Sequence, residues 1–330
     1  MMRIATIGTG SIVDAMLATI EELDRVTCTA IYSRKIETAQ VLADKYGIQT
    51  IYTDLQLLFA DKNVDAVYIA SPNSLHFEQA VQALEHGKHV ICEKPFTSNL
   101  VETESLIALA KQKNLFLFEA ISNIHLPNYA LVQEQLPKLG NIKFIQCNYS
   151  QYSRKYDQLL AGETPNVFNP QFSGGAIMDI NIYNIHFVMK MFGAPESISY
   201  TANKHANGID TSGVAVLQYP DFIAECVGCK DTNSMNFVLI QGEKGYLHVV
   251  GGANGCREVV VHKGENTEVL NVQNRANWFY YEWETFRDVY ESGDVKRSYE
   301  LLAHSRNVMS VLMGARESAG IRFAADEFAK

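Results

Sequence analysis

The sequence lacks the features that would direct it into a membrane or out of the cell. No apolar run in its 330 residues approaches the roughly 20 residues that a membrane-spanning helix requires. The first apolar run, Ile4–Ile7, is interrupted by Gly8 before it reaches the segment of about 7 residues that a signal peptide requires. We therefore expect a cytoplasmic protein that has no contact with a membrane.

Clustered positive charge is also absent. The net charge is −9, and the 28 lysines and arginines are scattered along the chain. A surface that binds a phosphate backbone concentrates Lys and Arg on one face. Nucleic acid is therefore not an expected partner, and the acidic balance mainly indicates solubility.

The few cysteines predict neither a disulfide framework nor a metal site. The six cysteines lie far apart, and a chain of this size needs no disulfide bonds. Cys226 and Cys229 have the CxxC spacing of metal and redox sites, but they fall in the strand-like run Phe222–Cys229, where residues three apart point to opposite faces. No second CxxC or CxxH pair completes a zinc set, so two half-buried small residues are the favoured interpretation.

The first 120 residues, in contrast, show a regular alternation of strand and helix patterns. Unbroken apolar strands between helices are typical of a parallel sheet covered on both faces. Right-handed crossovers then give an α/β, doubly wound Rossmann fold. The predicted strands are Arg3–Ile7, Val26–Tyr32, Ala66–Ala70, His89–Cys92 and Leu115–Phe118, and the predicted helices are 11–24, 35–46, 74–86 and 99–113.

The rest of the chain has a different pattern. Short strands follow one another without helices between them, which predicts an α+β domain with a large open, mostly antiparallel sheet. Because the chain is too long for one ordinary core, we expect a Rossmann domain at 1–120 and a second domain at 121–330. Its predicted strands are Ile142–Tyr152, Ser197–Lys204, Val214–Tyr219, Ile223–Cys229, Phe237–Ile240, Tyr246–Val250 and Val259–Val261, and its predicted helices are 175–192, 278–291 and 299–318.

A glycine-rich turn directly after the first strand predicts a dinucleotide site. Gly8 permits the tight turn, and Gly10 lets the backbone approach a pyrophosphate, which then lies on the N-terminus of the next helix. Val13 stands at the third position, where glycine or alanine is usual. An ordinary glycine turn is the alternative, but the place of this turn at the end of strand one favours a cofactor. The predicted contacts are Gly8, Thr9, Gly10, Ser11 and Ile12.

The end of the second strand indicates which dinucleotide binds. NAD-binding proteins usually carry an acidic residue there for the ribose 2′-hydroxyl, whereas this chain has Tyr32-Ser33-Arg34-Lys35. The Ser33 hydroxyl and the Arg34 guanidinium suit a 2′-phosphate, because arginine makes charge-assisted contacts with phosphate. We therefore predict NADP, with NAD as the alternative if Arg34 and Lys35 only begin a solvated helix.

Two more motifs follow later strands, Ser71-Pro72-Asn73 with His76, and Glu93-Lys94-Pro95. Together with the GxG turn, Glu119-Ala120 with Pro127, and Gly174-Gly175, they make nearly the whole chain resemble the glucose-fructose oxidoreductase/inositol dehydrogenase (Gfo/Idh/MocA) family. The resemblance implies an NAD(P)-dependent enzyme that moves a hydride between the nicotinamide and a secondary alcohol or carbonyl of a sugar, polyol or cyclic diol. It adds Ser71, Pro72, Asn73, His76, Glu93 and Lys94 to the expected cofactor contacts.

Lys94 is the lysine that the resemblance makes catalytic, and the proline after it tends to form a cis peptide in the family. It is expected at the carboxyl end of a parallel strand, where α/β sheets bind ligands. A lysine beside a positively charged nicotinamide and partly out of water should have a lowered pKa. It can then exchange a proton with a substrate hydroxyl.

The helix after Gly174-Gly175 is expected to supply the rest of the site. Asp179, Tyr183 and His186 are spaced i, i+4 and i+7, which predicts that they project from one face. The resemblance implies that Lys94 and Tyr183 form the acid/base pair, and that Asp179 holds a substrate hydroxyl and keeps Lys94 charged when the reaction needs it. A core helix whose polar side chains face solvent is the alternative. The expected substrate contacts are Asn169, Phe172, Asp179, Tyr183 and His186.

This helix departs from the commonest family pattern, D-x-G-x-H-x-x-D. Asn181 replaces the glycine, Tyr183 the histidine and His186 the second carboxylate. Tyrosine at that position is similar to the branch that contains dimeric dihydrodiol dehydrogenase. Ile124 stands where members of that branch often carry arginine, which indicates a pocket less suited to a charged or heavily hydroxylated substrate.

Two other functions stay open on the sequence alone. One is a non-catalytic NAD(P)-binding sensor, although the intact Lys94 and Tyr183 argue against a degenerate site. The other is a biliverdin reductase-like enzyme that acts on a larger conjugated ligand. In each case we expect a homodimer or homotetramer that forms through the open sheet, because an exposed apolar sheet face favours association.

Overall fold

The computed structural model describes residues 1–328 and divides the chain into two compact units. The first unit comprises residues 1–120 and 279–306, and the second comprises residues 121–278 and the chain from 307 onward. The chain therefore enters the first unit twice. The expected domain ranges, 1–120 and 121–330, do not contain this return, and a division of labour between two domains stays a prediction.

Six parallel strands form the sheet of the first unit: β1 Met2–Ile7, β2 Val26–Tyr32, β3 Thr50–Tyr52, β4 Ala66–Ile69, β5 His89–Glu93 and β6 Leu117–Ala120. Their spatial order is β3-β2-β1-β4-β5-β6. The order reverses between β1 and β4, which is the switch point where doubly wound sheets bind their ligands. The predicted Rossmann fold is confirmed.

Five helices connect these strands: α1 Ser11–Ile20, α2 Ile36–Tyr46, α3 Leu55–Ala60, α4 His76–Glu85 and α5 Leu100–Lys113. Every residue of β4 is buried, as expected for an interior strand covered on both faces. The sequence did not predict β3 or α3. Strand β3 has three residues, none of them buried, and helix α3 has only six residues, so neither element presents a periodic apolar pattern.

The sheet of the second unit has eight strands: β7 Ile142–Ser150, β8 Ser197–Lys204, β9 Asp210–Gln218, β10 Ile223–Cys229, β11 Phe237–Gly242, β12 Gly245–Val250, β13 Glu258–Lys263 and β14 Asn266–Leu270. Their order is β14-β13-β12-β11-β7-β10-β9-β8. All neighbours are antiparallel except β7 and β10, which are parallel. The predicted open, mostly antiparallel sheet is confirmed. The edge strand β14 was not predicted, because its side chains are almost all exposed.

One face of this sheet is covered by the helix that was predicted to carry site residues. That helix has two parts, a π-helical turn Ile177–Asn181 and α8 Ile182–Phe192, which packs against β7 and β10. Along β10 the side chains alternate, so Cys226 is buried whereas Cys229 is partly exposed, and both are free thiols.

The remaining helices are short or lie late in the chain. They are α6 Pro127–Gln135, α7 Arg154–Leu160, α9 Gly252–Gly255, α10 Phe279–Ser292 and α11 Val295–Ser318, with 3₁₀ turns at Asn73–Leu75, Ser122–His125, Leu136–Leu139, Asn166–Phe168, Pro170–Phe172 and Ala324–Phe328. Trp283 and Phe286 of α10 belong to the core of the first unit. Among residues 1–328, no helix is both long enough and apolar enough to cross a bilayer.

Candidate functional site

The turn between β1 and α1 depends on glycine. Gly8 has a φ of 126°, and a Cβ atom there would lie 2.7 Å from the carbonyl oxygen of Ala70, just after β4. Both the backbone conformation and the close approach therefore exclude a side chain at Gly8. The turn directly follows β1 and precedes α1, as the sequence predicted, and the strand order places it at the switch point of the sheet.

The N-terminus of α1 fits a dinucleotide pyrophosphate. Gly10 is its N-cap and makes no side-chain cap there, and among residues 1–328 no atom outside its own chain neighbours lies within 4 Å of where a Cβ of Gly10 would be. A helix N-terminus with open space above it presents backbone N–H groups and a partial positive charge to phosphate. Val13 is fully buried, so the close contact between helix and sheet is made with valine at the third position of the motif.

At the end of β2, Ser33 has local partners. Its N–H donates to the Tyr52 carbonyl over 3.1 Å, and its hydroxyl lies 2.6 Å from the Thr38 hydroxyl. Arg34 and Lys35 are exposed, so their charged groups are accessible at this strand end. Contact of Ser33 or Arg34 with a 2′-phosphate stays a prediction.

His76 joins the two loops that follow β4 and β5. Its ring is 1% exposed, with Nε2 3.0 Å from the Ser71 carbonyl oxygen and Nδ1 3.0 Å from the Pro95 carbonyl oxygen. Burial lowers the pKa of His76. Both ring nitrogens face backbone carbonyls, so His76 links these two loops, and its contact with a cofactor stays a prediction. The Lys94–Pro95 peptide bond is cis.

Three buried carboxyl groups in the first unit, those of Glu93, Glu119 and Glu282, influence one another electrostatically, and Glu93 directly precedes Lys94. Glu93 accepts hydrogen bonds from the Tyr68 hydroxyl over 2.5 Å and from the Lys94 N–H over 3.2 Å, and Glu119 accepts from the Phe96 N–H over 3.2 Å. Burial raises the pKa of Glu93 to about 7, and the negative charge of Glu119 adds to that rise. Burial also raises the pKa of Glu282 in α10 well above its ordinary value, with Glu93 and Glu119 contributing. This cluster of carboxyls is therefore partly protonated near neutral pH.

In the second unit, Asp179 lies in the π-helical turn, and Asp210 fixes the start of that turn. The buried Asp210 carboxylate accepts from the Ile177 N–H and from the Tyr200 hydroxyl, each over 2.7 Å. Burial raises the pKa of Asp210, although both hydrogen bonds oppose the rise. Gly175 has a φ of 105°, and a Cβ there would lie 2.1 Å from Oδ1 of Asp210, which explains why glycine precedes this helix. π-helical turns inside helices occur frequently at functional sites.

Two buried asparagines tie this helix to β10. The Asn181 amide donates to the Cys226 carbonyl over 2.8 Å, and the Asn184 amide donates to the Val227 carbonyl over 2.9 Å. The Asn184 amide also donates to Asn181 Oδ1 over 2.9 Å. Asn181, which departs from the usual glycine of the family pattern, therefore has a structural role between helix and sheet.

The partner of Asp179 within the second unit is a residue that the sequence did not indicate. Lys230, directly after β10, donates to the Asp179 carboxylate. Its side chain is 9% exposed and that of Asp179 is 31% exposed, and its Nζ lies 5.8 Å from the centre of the Phe168 ring. No motif marks Lys230. Only its position at the end of a buried strand could have suggested it.

The other predicted substrate residues divide by burial. The Tyr183 ring is partly buried and packs edge-on against Tyr149, with ring centres 5.7 Å apart. His186 is fully buried, whereas Asp179 and Tyr183 are partly exposed, and a contact of His186 with substrate stays a prediction. The π-helical turn changes the periodicity that the i, i+4, i+7 spacing assumed. Asn169 accepts from the Gln171 N–H over 2.9 Å, and Phe172 is half-buried.

Comparison with known proteins gives matches along both parts of the chain. A family described as "Oxidoreductase family, NAD-binding Rossmann fold" matches residues 2–120, and the "GFO/IDH/MocA C-terminal domain" matches residues 132–248.

Three curated relatives are similar over most of their length. An uncharacterised oxidoreductase, YgjR of Escherichia coli, is 39% identical over 99% of both chains. The scyllo-inositol 2-dehydrogenase (NADP(+)) IolU of Bacillus subtilis is 34% identical over 99% of this chain and 100% of its own. The trans-1,2-dihydrobenzene-1,2-diol dehydrogenase of Sus scrofa is 27% identical over 90% of both.

A solved structure of another protein has a similar fold. The structure of KijD10, a 3-ketoreductase from Actinomadura kijaniata in complex with NADP and TDP-benzene, superposes with a TM-score of 0.85 at 23% identity. The match covers 96% of this chain and 98% of that one. At this level of identity the likeness establishes a shared fold.

Proposed function

The chain belongs to the GFO/IDH/MocA family of oxidoreductases, and from that membership we propose that it is an NADP-dependent dehydrogenase of a polyol, sugar or cyclic diol. The family makes it an NAD(P)-dependent oxidoreductase, while the substrate class and the roles of individual residues are the proposal. The observation that carries it is the glycine turn at the switch point of the sheet, together with Lys94 at the end of β5.

The cofactor would be held by the first unit. The turn Gly8–Ile12 would bind the pyrophosphate, Ser33 and Arg34 the 2′-phosphate, and the loops at Ser71–Asn73 and Glu93–Lys94 the nicotinamide end. Bound NADP supplies a hydride acceptor in oxidation and a hydride donor in reduction. The NADP(+) dependence of the 34% identical IolU supports the choice of NADP over NAD.

Lys94 and Tyr183 would move the proton. When the secondary alcohol loses its hydride, its hydroxyl must also lose a proton, and in the reverse direction the oxygen must regain one. Lys94 is half-buried, and its backbone N–H is held by Glu93. The Tyr183 hydroxyl, on a ring braced by Tyr149, would share this proton transfer. Asp179 would hold a neighbouring substrate hydroxyl.

A polyol is the favoured substrate within this class. The relative named for scyllo-inositol is more similar to this chain than the relative named for a dihydrobenzenediol, at 34% against 27% identity. A non-catalytic sensor and an enzyme for a larger conjugated ligand are the outcomes that the experiment must separate from this one.

The experiment follows nicotinamide absorbance on mixing pure protein with NADP⁺ or NAD⁺ and a panel of inositols, aldoses, acyclic polyols and trans-dihydrodiols. We expect turnover of at least one polyol with NADP⁺, and its loss in Lys94→Ala with NADPH binding retained. Lys62→Ala, an exposed lysine of the same unit, is the matched control. NADPH binding without any turnover would support the sensor instead, and activity on bulky planar pigments alone would support the conjugated-ligand enzyme.

We also propose that the protein forms a homodimer or homotetramer through the second sheet. The strand registers place Gln146, Leu239, His248, Val260 and Val269 side by side on one face. None of these side chains is buried in the single chain, although three of them are apolar. Leu239→Asp with Val260→Asp should reduce the mass measured by light scattering to that of a monomer. An unchanged oligomer would exclude this face.

A cytoplasmic location is proposed as well. All six cysteines are free thiols, which is the usual state in a reducing compartment. Fractionation of the native host should recover the protein with the cytoplasm, and recovery from the medium or the cell envelope would contradict this.

A further inference from the structure

We propose that Lys230 is a substrate-binding residue, and that its ion pair with Asp179 makes the site selective for uncharged, polyhydroxylated substrates. The inference rests on the proposed dehydrogenase function, because Asp179 is placed at the substrate in that proposal. It goes further by adding a second cation to the site and by stating what that cation selects.

The burial of Lys230 needs an explanation. Its side chain is 9% exposed, and lysine is almost never buried to that extent unless it is paired. Asp179 supplies the pairing charge, and the Phe168 ring covers another side of the ammonium group. The pair reaches solvent mainly through Asp179, which is 31% exposed.

The ammonium group has more donors than the protein uses. Lysine carries three N–H donors. Within residues 1–328, Asp179 is the one hydrogen-bond acceptor that the structure gives to Lys230 Nζ. An oxygen-bearing ligand beside Asp179 can therefore accept a hydrogen bond from Lys230 without displacing the ion pair.

Both members of the pair are held by their backbones. The Lys230 N–H donates to the Thr211 carbonyl, and the Lys230 carbonyl accepts from the Ser153 N–H, each over 2.9 Å. The Asp179 turn is fixed at its start by Asp210 and near its end by Asn181. A site whose groups are fixed before the ligand arrives loses less entropy on binding.

The charge of the pair determines which oxygens it favours. Lys230 and Asp179 together are neutral, so a substrate carboxylate or phosphate would gain little from the lysine and would be repelled by the more exposed aspartate. Neighbouring hydroxyls suit the pair, because one can accept from Lys230 while the next donates to Asp179. The sequence-based expectation from Ile124 was a pocket less suited to a charged or heavily hydroxylated substrate, and it did not take Lys230 into account.

The test compares Lys230→Met with wild type on the best polyol of the panel and on a trans-dihydrodiol. We expect KM for the polyol to rise about tenfold or more, which corresponds to ~1.4 kcal/mol, with KM for NADP⁺ unchanged. The rise should be smaller for the dihydrodiol, which has only two hydroxyls. Lys230→Arg should restore part of the affinity, because it keeps the charge. Lys263→Met, an exposed lysine of β13, is the control and should behave as wild type.

The outcomes separate this inference from the proposed function. A folded Lys230→Met with wild-type KM for the polyol overturns the role of Lys230 and leaves the dehydrogenase intact. Wild-type protein that binds NADPH but turns over no panel member overturns both. If the methionine variant does not fold, Lys230→Gln, which keeps an N–H donor for Asp179, takes its place with the same expected rise in KM.

Discussion

Replacing Glu93 by glutamine should flatten the pH dependence of stability in the first unit. Burial raises the pKa of the folded Glu93 carboxyl from an ordinary value of 4.5 to about 7. Between these two values the folded protein keeps a proton that the unfolded chain has lost. The stabilising effect of that proton is complete below about pH 4.5 and is lost as the pH rises through about 7.

The size of the effect follows from the pKa difference. Each pKa unit corresponds to about 1.4 kcal/mol, so ionised Glu93 lowers the free energy of unfolding by roughly 3 kcal/mol between pH 4.5 and 8. Glutamine cannot ionise, so the Glu93→Gln variant does not lose this free energy of unfolding as the pH rises. It also weakens the contact with the Lys94 N–H, but that cost does not depend on pH. Glu282 and Glu119 remain in both proteins, but Glu93 contributes to the raised pKa of Glu282, so the difference between the two pH profiles reports on Glu93 together with its coupling to these carboxyls.

The chain provides its own probe for this measurement. Trp283 is buried with its ring centre 5.5 Å from that of Tyr68, the hydrogen-bond donor to Glu93. The second tryptophan, Trp278, lies in the other unit and is 39% exposed. Urea unfolding followed by tryptophan emission at several pH values should show the steeper decline in wild type, with exposed Glu37→Gln behaving as wild type. Equal slopes in wild type and Glu93→Gln would refute the assignment of a buried, proton-retaining carboxyl.

Three further substitutions test other parts of the account. Gly8→Ala should lower the free energy of unfolding by about 1–3 kcal/mol and weaken NADPH binding, because the added Cβ would lie 2.7 Å from the Ala70 carbonyl oxygen. Gly47→Ala is the control, since Gly47 also has a positive φ but lies in open space, and equal losses of stability in the two variants would contradict the steric argument. Arg34→Ala should raise KM for NADP⁺ about tenfold with little change in KM for NAD⁺, since a charge-assisted hydrogen bond contributes ~1.5–3 kcal/mol. An unchanged ratio of the two KM values in steady-state kinetics would show that Arg34 does not contact the cofactor. Asp210→Ala should destabilise the second unit by roughly 2 kcal/mol or more in chemical denaturation and should lower kcat, because the Ile177 N–H and the Tyr200 hydroxyl lose their acceptor. Wild-type stability of this variant would show that the π-helical turn does not depend on Asp210.

The fold was predictable where the apolar pattern is strong. The buried strands of the first unit and the succession of short strands in the second both carry periodicities that a single sequence displays. The elements that the sequence did not predict are β3 and β14, which bury little, and α3, α6, α7 and α9, which are short. The return of α10 to the first unit was also missed, because its partners lie more than 150 residues away in the chain.

The candidate site was predictable from the sequence where a short motif has a known chemical role. The glycine turn and the Glu93-Lys94-Pro95 segment occupy strand ends, as their chemistry requires. Lys230 and Asp210 escaped because each is a single residue whose meaning comes from a partner tens of residues away, Asp179 and Ile177 respectively. The helical spacing that grouped His186 with Asp179 assumed a regular helix, and the π-helical turn breaks that assumption.

The central claim is that this protein transfers hydride from a carbinol carbon to NADP⁺ while Lys94 takes the hydroxyl proton. The most direct measurement uses the panel's best polyol with deuterium on the carbinol carbon and analyses the cofactor by mass spectrometry. We predict that deuterium appears in NADPH with wild type and that Lys94→Ala, although it binds NADPH, yields no labelled cofactor. Deuterium found in water rather than in the cofactor, or label transfer at the wild-type rate in Lys94→Ala, would contradict it.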